Sequence, residues 1–163
     1  MIRSPAVLGP GGYPFGATPV FCARVTATIA NVTGNGTSYT IVFDSAEQNG
    51  THFNTSTGVF TAPVTGWYTF NAAVNMEGLT TGTGQFILLV TSNRSYRIAA
   101  VHPNSTDTAG GDLCLSGSLT VFMDAADTAS ISVSVSGIGA DTADVSGNSG
   151  TSLTTFSGIL EAA

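Results

Sequence analysis

Apolar residues recur at every second position along much of this chain, in short runs broken by Gly, Asn, Asp and Pro. A period of two places alternate side chains on opposite faces of a strand, whereas a helix needs apolar residues at i, i+3, i+4 and i+7. No long segment shows the helical spacing. The pattern predicts strands over residues 20–29, 38–44, 66–76, 85–91, 94–101, 113–123, 129–135 and 151–160, with a short hairpin over 53–61 turned at Thr57-Gly58. In 66–76 the alternating set is Tyr68, Phe70, Ala72, Val74 and Met76. Residues 85–91 are almost continuously apolar, which predicts a strand covered on both faces.

Short strands at this spacing point to an all-β jelly-roll sandwich and not to a parallel α/β sheet. The 163 residues suffice for one domain with a real core, placed at 19–163, preceded by an arm at 1–18 that Pro5, Pro10 and Pro14 interrupt. Neither an apolar run of signal-peptide length nor one of the roughly 20 residues a spanning helix needs is present. The expectation is a soluble chain without its own export signal, as suits a virion protein assembled in the host cytoplasm.

Composition narrows the partners. Only 9% of residues are charged, against about 25% in ordinary globular chains, so Ser, Thr, Asn and Gly must cover the surface. Such a surface suits burial in an oligomer. The net charge is −6 and the cations are Arg3, Arg24, Arg94 and Arg97, with no lysine. Four scattered arginines cannot neutralise a phosphate backbone, so neither nucleic acid nor an anionic membrane is an expected partner.

Candidate chemistry is sparse. His52 and His102 are the only histidines, and the chain has no nucleophile elbow, no HExxH motif and no Cys/His metal spacing. A non-enzymatic role is expected. Asp124 with Asp127, and Asp141 with Asp144, are the candidates for a calcium site, because hard cations take several loop oxygens. Neither pair has EF-hand spacing, and both read better as turn-capping residues. Cys22 and Cys114 read as two buried small hydrophobes, with a disulfide as the alternative.

The segment FDSAEQNGTHFNTSTGVFTAPVTGWYTF, residues 43–70, resembles the signature of the C1q globular head within the C1q/tumour-necrosis-factor superfamily. Phe43 and Asn49 match its opening, Phe53 stands for its next aromatic one position early, and Phe60, Gly66, Tyr68 and Phe70 match its close. Ala72 replaces a further aromatic. Near the carboxy end, SGSLTVFMDAADTASISVSV and TTFSGILEA are similar to the family's late strands, the second carrying its F-x-G-x-L close at Phe156.

The resemblance implies a jelly roll with Phe43, Phe60, Gly66, Tyr68, Phe70 and Phe156 as core residues, associating as a homotrimer. Expected contacts between copies are Phe21, Val25, Val133, Val135 and Phe156. Animal relatives carry a collagen stalk, and the absence of a Gly-X-Y repeat here favours a free-standing phage or bacterial version. The function expected on this basis is a virion surface component, a phage capsid decoration or fibre knob. Its arm, through Ile2, Val7, Leu8, Tyr13 and Phe15, would dock on a neighbouring subunit or on capsid or fibre proteins, or else fold back on its own trimer. The alternative is an extracellular module recognising a cell-surface glycan or protein, with or without calcium, through loops at 75–84 and 137–150.

Overall fold

The computed structural model describes residues 18–80, 84–101 and 111–163. Within them the chain forms β1 (Val20–Arg24), β2 (Ala27–Thr33), β3 (Ser38–Thr40), β4 (Ser45–Asn49), β5 (Phe53–Asn54), β6 (Val59–Thr61) and β7 (Gly66–Glu77). There follow β8 (Gly84–Thr91), β9 (Ser95–Val101), β10 (Leu113–Met123), β11 (Thr128–Ser136), β12 (Ala143–Asn148) and β13 (Thr155–Ala162). The strands build two facing antiparallel sheets, a jelly-roll sandwich.

The first sheet is organised on β7. One edge of β7 pairs with β10 from Gly66↔Met123 to Met76↔Leu113. Its other edge is shared by β13 and, further along, by β12. Beyond β13 lie β1 and then the edge strand β4, while β12 carries β2. In the second sheet β11 pairs with β8 on one side and with β6 and β3 on the other, and β9 and β5 form its ends.

Alternation fills the space between the sheets. Tyr68, Phe70, Val74 and Met76 from β7 meet Ile87 and Leu89 from β8 and Ile131, Val133 and Val135 from β11, all at most 1% exposed. An aromatic cluster anchors the lower half. Phe21 stacks on Phe53 and Phe60 at centroid distances of 4.6 and 5.1 Å and meets Phe156 edge-on at 5.0 Å. Phe43 lies 5.7 Å from Phe156. Gly158 makes room for these rings, since a Cβ there would lie 2.6 Å from the Phe21 ring and 2.7 Å from that of Phe70. Gly66 is buried, and Tyr68 closes the corner before β7 by donating its hydroxyl to the Val64 carbonyl at 2.7 Å. Gln85 also enters this core, 1% exposed, with neither its carboxamide nitrogen nor its oxygen hydrogen-bonded.

Four features differ from the sequence expectation. The strand expected over 20–29 is two strands with different partners: β1 pairs with β13, and β2 with β12. Between them the chain turns at Val25 and Thr26, where the Asp44 carboxylate accepts the Thr26 N–H at 2.8 Å and also its hydroxyl. Of 38–44 only Ser38–Thr40 is a strand, and Ile41 and Phe43 continue into the core from a less regular backbone. β4 and β12 escape a hydrophobic reading because one is polar, SAEQN, and the other is short and contains Gly147. Lastly, β8 is covered on one face only: Phe86, Leu88 and Val90 point outward and stay partly exposed, with the Arg97 guanidinium 4.7 Å above the Phe86 ring.

The sandwich has two distinct ends. At the base lie the start of β1, the 62–65 corner, the 92–94 and 124–127 turns and the last residues of β13. At the opposite end the 34–37, 78–80 and 137–142 loops meet. There Ile138 N–H bonds the Gly34 carbonyl at 3.1 Å, and Leu79 N–H bonds the Gly111 carbonyl at 2.9 Å.

Candidate interaction surface

Because even-numbered positions of β7 face the core, Trp67, Thr69, Asn71, Ala73 and Asn75 face outward. Their neighbours on the same face are Cys114, Ser116, Ser118, Thr120 and Phe122 of β10, and Thr155, Ser157 and Ile159 of β13. No charged side chain occurs in this set. Charges return at its margins, with Glu77 at the end of β7, Glu161 near the end of β13, Arg24 on β1 and Glu47 on β4.

The face is graded along its length. Its middle is amide and hydroxyl in character, with Thr69 and Thr120 joined hydroxyl to hydroxyl at 2.8 Å. Its base is apolar: Trp67 and Phe122 lie opposite each other with ring centroids 5.5 Å apart at 67°. Val20 and Ile159, also paired in register, complete the patch. Strand β10 bounds the face as a sheet edge of 11 residues, without the charge, proline or bulge that usually guards such an edge.

The expected contact residues between copies are elsewhere. Phe21, Val25, Val133, Val135 and Phe156 are each at most 1% exposed within one protomer, so their side chains belong to its own inter-sheet core and present nothing to a second copy. Alternation shows that a strand has an apolar face but not whether a sheet of the same chain or of another covers it. The outward residues were missed because Ser, Thr and Asn give no hydrophobic signal; the lack of charge in 113–123 was the legible clue.

Both cysteines are free and exposed on this face, which corrects the expectation of two buried thiols. Register links Cys22 through Ser157 and Asn71 to Ser118, four residues from Cys114 along β10. That separation, roughly 14 Å across and 13 Å along the strands, is too great for a bridge within one protomer, which needs Cα atoms within about 7 Å. Partial burial pushes the Cys114 thiol above its ordinary pKa.

The two aspartate pairs lie in turns at opposite ends of β11, where the carboxylates of Asp127, Asp141 and Asp144 cap backbone or amide N–H groups and Asp124 takes part through its backbone. Asp127 accepts from the Asp124 N–H at 3.0 Å and from Asn93 Nδ2 at 2.9 Å. Asp141 accepts from Asn35, and Asp144 from the Asn31 N–H at 2.7 Å. Each pair therefore stands apart from the other, and among the described residues no group of three His, Cys, Asp or Glu side chains converges. His52 sits partly buried near Gly50. His102 and the arm residues Ile2, Val7, Leu8, Tyr13 and Phe15 lie outside the described residues.

The comparisons agree with this geometry. Among curated proteins no sequence is similar enough to match. The globular domain of zebrafish complement 1qA protein is similar in structure, with a TM-score of 0.60 at 17% identity over 88% of this chain and 96% of that one. Murine APRIL is similar at a TM-score of 0.57 and 10% identity over 87% of this chain and 98% of that one. At these identities the likeness shows the jelly-roll fold. The sequence pattern of the C1q domain itself matches residues 20–160, spanning both sheets, and the chain therefore belongs to the C1q domain family.

Proposed function

We propose that this protein is a non-enzymatic binding module that assembles as a homotrimer through the outer face of its first sheet. Domains of this family are typically trimeric and bind proteins or glycans. The observation that carries the reading is the run of outward rows from Trp67 to Asn75 of β7, with the facing residues of β10 and β13, that holds no charged side chain, beside a β10 edge that no second strand pairs among the described residues. The centres of protein interfaces are depleted of charge, and a long open edge favours pairing with another chain unless it is covered. A contact between the edge of one copy and the sheet of the next is heterologous, and such contacts close into rings when the rotation allows. Light scattering at low micromolar concentration tests this: the expected mass is three times the 16.4 kDa of the chain, and a stable monomer defeats it.

The setting we propose is the surface of a virion, as a capsid decoration or fibre knob. Support comes from the polarity of the domain, in which β1 begins at the base and the loop end points away from it. Attachment through the base leaves the loops free. Removing residues 1–18 is expected to leave a folded trimer that no longer attaches to its particle, and retained attachment refutes the anchoring role.

A second reading, a recognition module acting in its own right, is favoured by the gathering of the 34–37, 78–80 and 137–142 loops at one end. Function concentrates on loops that a rigid scaffold holds. A glycan array run with and without a chelator separates the readings; a blank array counts against the second.

A further inference from the structure

The second sheet carries a different kind of outer face. Of the side chains that point outward from β3, β5, β6, β8, β9 and β11, Arg97 alone is charged, in a protein whose net charge is −6. Its guanidinium is exposed and lies 4.7 Å above the Phe86 ring, and no carboxylate or other hydrogen-bond acceptor among the described residues engages it. A ring face attracts a cation but leaves the N–H fork of arginine free for a planar, bidentate acceptor.

An apolar stripe runs beside this charge. Strand β8 turns Ile87 and Leu89 into the core and Phe86, Leu88 and Val90 outward, so it is apolar on both faces and covered on one. The outward three span about 13 Å along the strand, and Leu88 lies opposite Arg97 in register. Protein interfaces concentrate aromatic residues and arginine, whereas lysine and the carboxylates are depleted there.

We propose that this face is the docking site of a second protein, one that presents an Asp or Glu carboxylate to Arg97 between apolar side chains that cover Phe86, Leu88 and Val90. Charge complementarity selects an acidic occupant, because a guanidinium without a counter-ion on an otherwise uncharged face is matched by an anion. Three observations favour a protein over an acidic sugar. The Arg97 guanidinium already occupies a face of the Phe86 ring, where a pyranose would otherwise stack. The hydroxyls opposite Leu88 and Phe86 are engaged, Ser132 donating to the Tyr39 carbonyl at 3.0 Å and Ser134 to that of Gly36 at 3.1 Å. No cavity opens among the described residues to enclose a small ligand. The inference goes beyond the assembly reading: the first sheet keeps the contact between copies, and the opposite side of the sandwich takes the partner.

The test selects random peptides displayed on yeast against the full-length protein, then measures the recovered sequences as soluble peptides by fluorescence anisotropy. The expected peptides carry Asp or Glu among apolar residues. Arg97→Gln should weaken them by about tenfold or more with unchanged circular dichroism. Arg97→Glu should lose them and regain them when their acidic residue is replaced by arginine. Recovery of no peptide, recovery of peptides without a carboxylate, or affinity indifferent to Arg97→Gln overturns the proposal. A sialylated glycan that binds through Arg97 in place of peptides overturns it and makes an acidic sugar the occupant. Self-association that Arg97→Gln abolishes in light scattering also overturns it, and makes a second copy the occupant. Ser118→Arg, on the outer face of the first sheet, should bind peptide as the parent does; its mass tests the trimer and its peptide affinity tests the docking face, so the two readings fail separately.

Discussion

Trp67 and Phe122 face each other across the β7–β10 pair, 5.5 Å between ring centroids, and each is half exposed. An edge-to-face pair of this kind contributes about 0.5–1.5 kcal/mol beyond its buried area. Leaving it in water forfeits much of the benefit of two large apolar side chains. The pair therefore marks the base of a surface exposed among the described residues, and the rows above it up to Asn75 extend that surface along the sheet.

A charge placed in the middle of this face tests the assembly. Ser118 is exposed on β10, opposite Asn71. Ser118→Arg is expected to convert the proposed trimer to monomer in light scattering, because an arginine buried between copies without a partner is strongly unfavourable. The protomer's circular dichroism should not change.

Gly158 allows the Phe21 and Phe70 rings to close over β13. Gly158→Ala is expected to lower stability by about 1–3 kcal/mol, the usual cost of overpacking. The shift in urea midpoint, read at fixed protein concentration, measures it.

Gln85 is fully buried with its carboxamide unsatisfied. Gln85→Met keeps the length of the side chain and removes two polar atoms without partners, so it is expected to stabilise by about 1–3 kcal/mol. An unchanged or lower urea midpoint contradicts that account.

Thiol chemistry reports on the same sheet face. Cys22 and Cys114 are both exposed and too far apart to bridge within a protomer. Two thiols per chain are expected to titrate under denaturing conditions without reductant. If the proposed trimer forms, both should react more slowly in it than in a Ser118→Arg monomer.

Asp44 sets a pH dependence. Desolvation raises the pKa of its carboxyl, but the hydrogen bonds from the Thr26 side chain and backbone, with Arg24 nearby, outweigh it and hold the pKa below the ordinary value. A carboxylate with a lowered folded pKa adds stability that is complete above its unfolded pKa of about 4 and is lost as pH falls through the folded value. Asp44→Asn should therefore be less stable than the parent at neutral pH, and the difference should vanish in acid.

The strands with a clear period of two were legible from the chain alone. Strand β10 runs over the expected residues 113–123, and β7 exceeds its expected span by one residue, Glu77. Alternation there is dictated by burial against one facing sheet, and burial leaves its record in residue type. The polar β4 and the Gly-containing β12 were not legible, because their places depend on backbone pairing with β1 and with β2 and β7. Backbone hydrogen bonds leave no such record.

The same distinction governs the interaction surface. By itself the sequence determined the jelly roll, its aromatic core from Phe43 to Phe156, and a composition too poor in charge for a fully solvated surface. Only the tertiary structure decided which apolar residues the protomer keeps for itself. It buried Phe21, Val25, Val133, Val135 and Phe156 and left Val20, Trp67, Phe122 and Ile159 outside. Hydrophobicity fixes that a side chain leaves water, whereas the pairing and facing of strands far apart in sequence fix what it meets when it does.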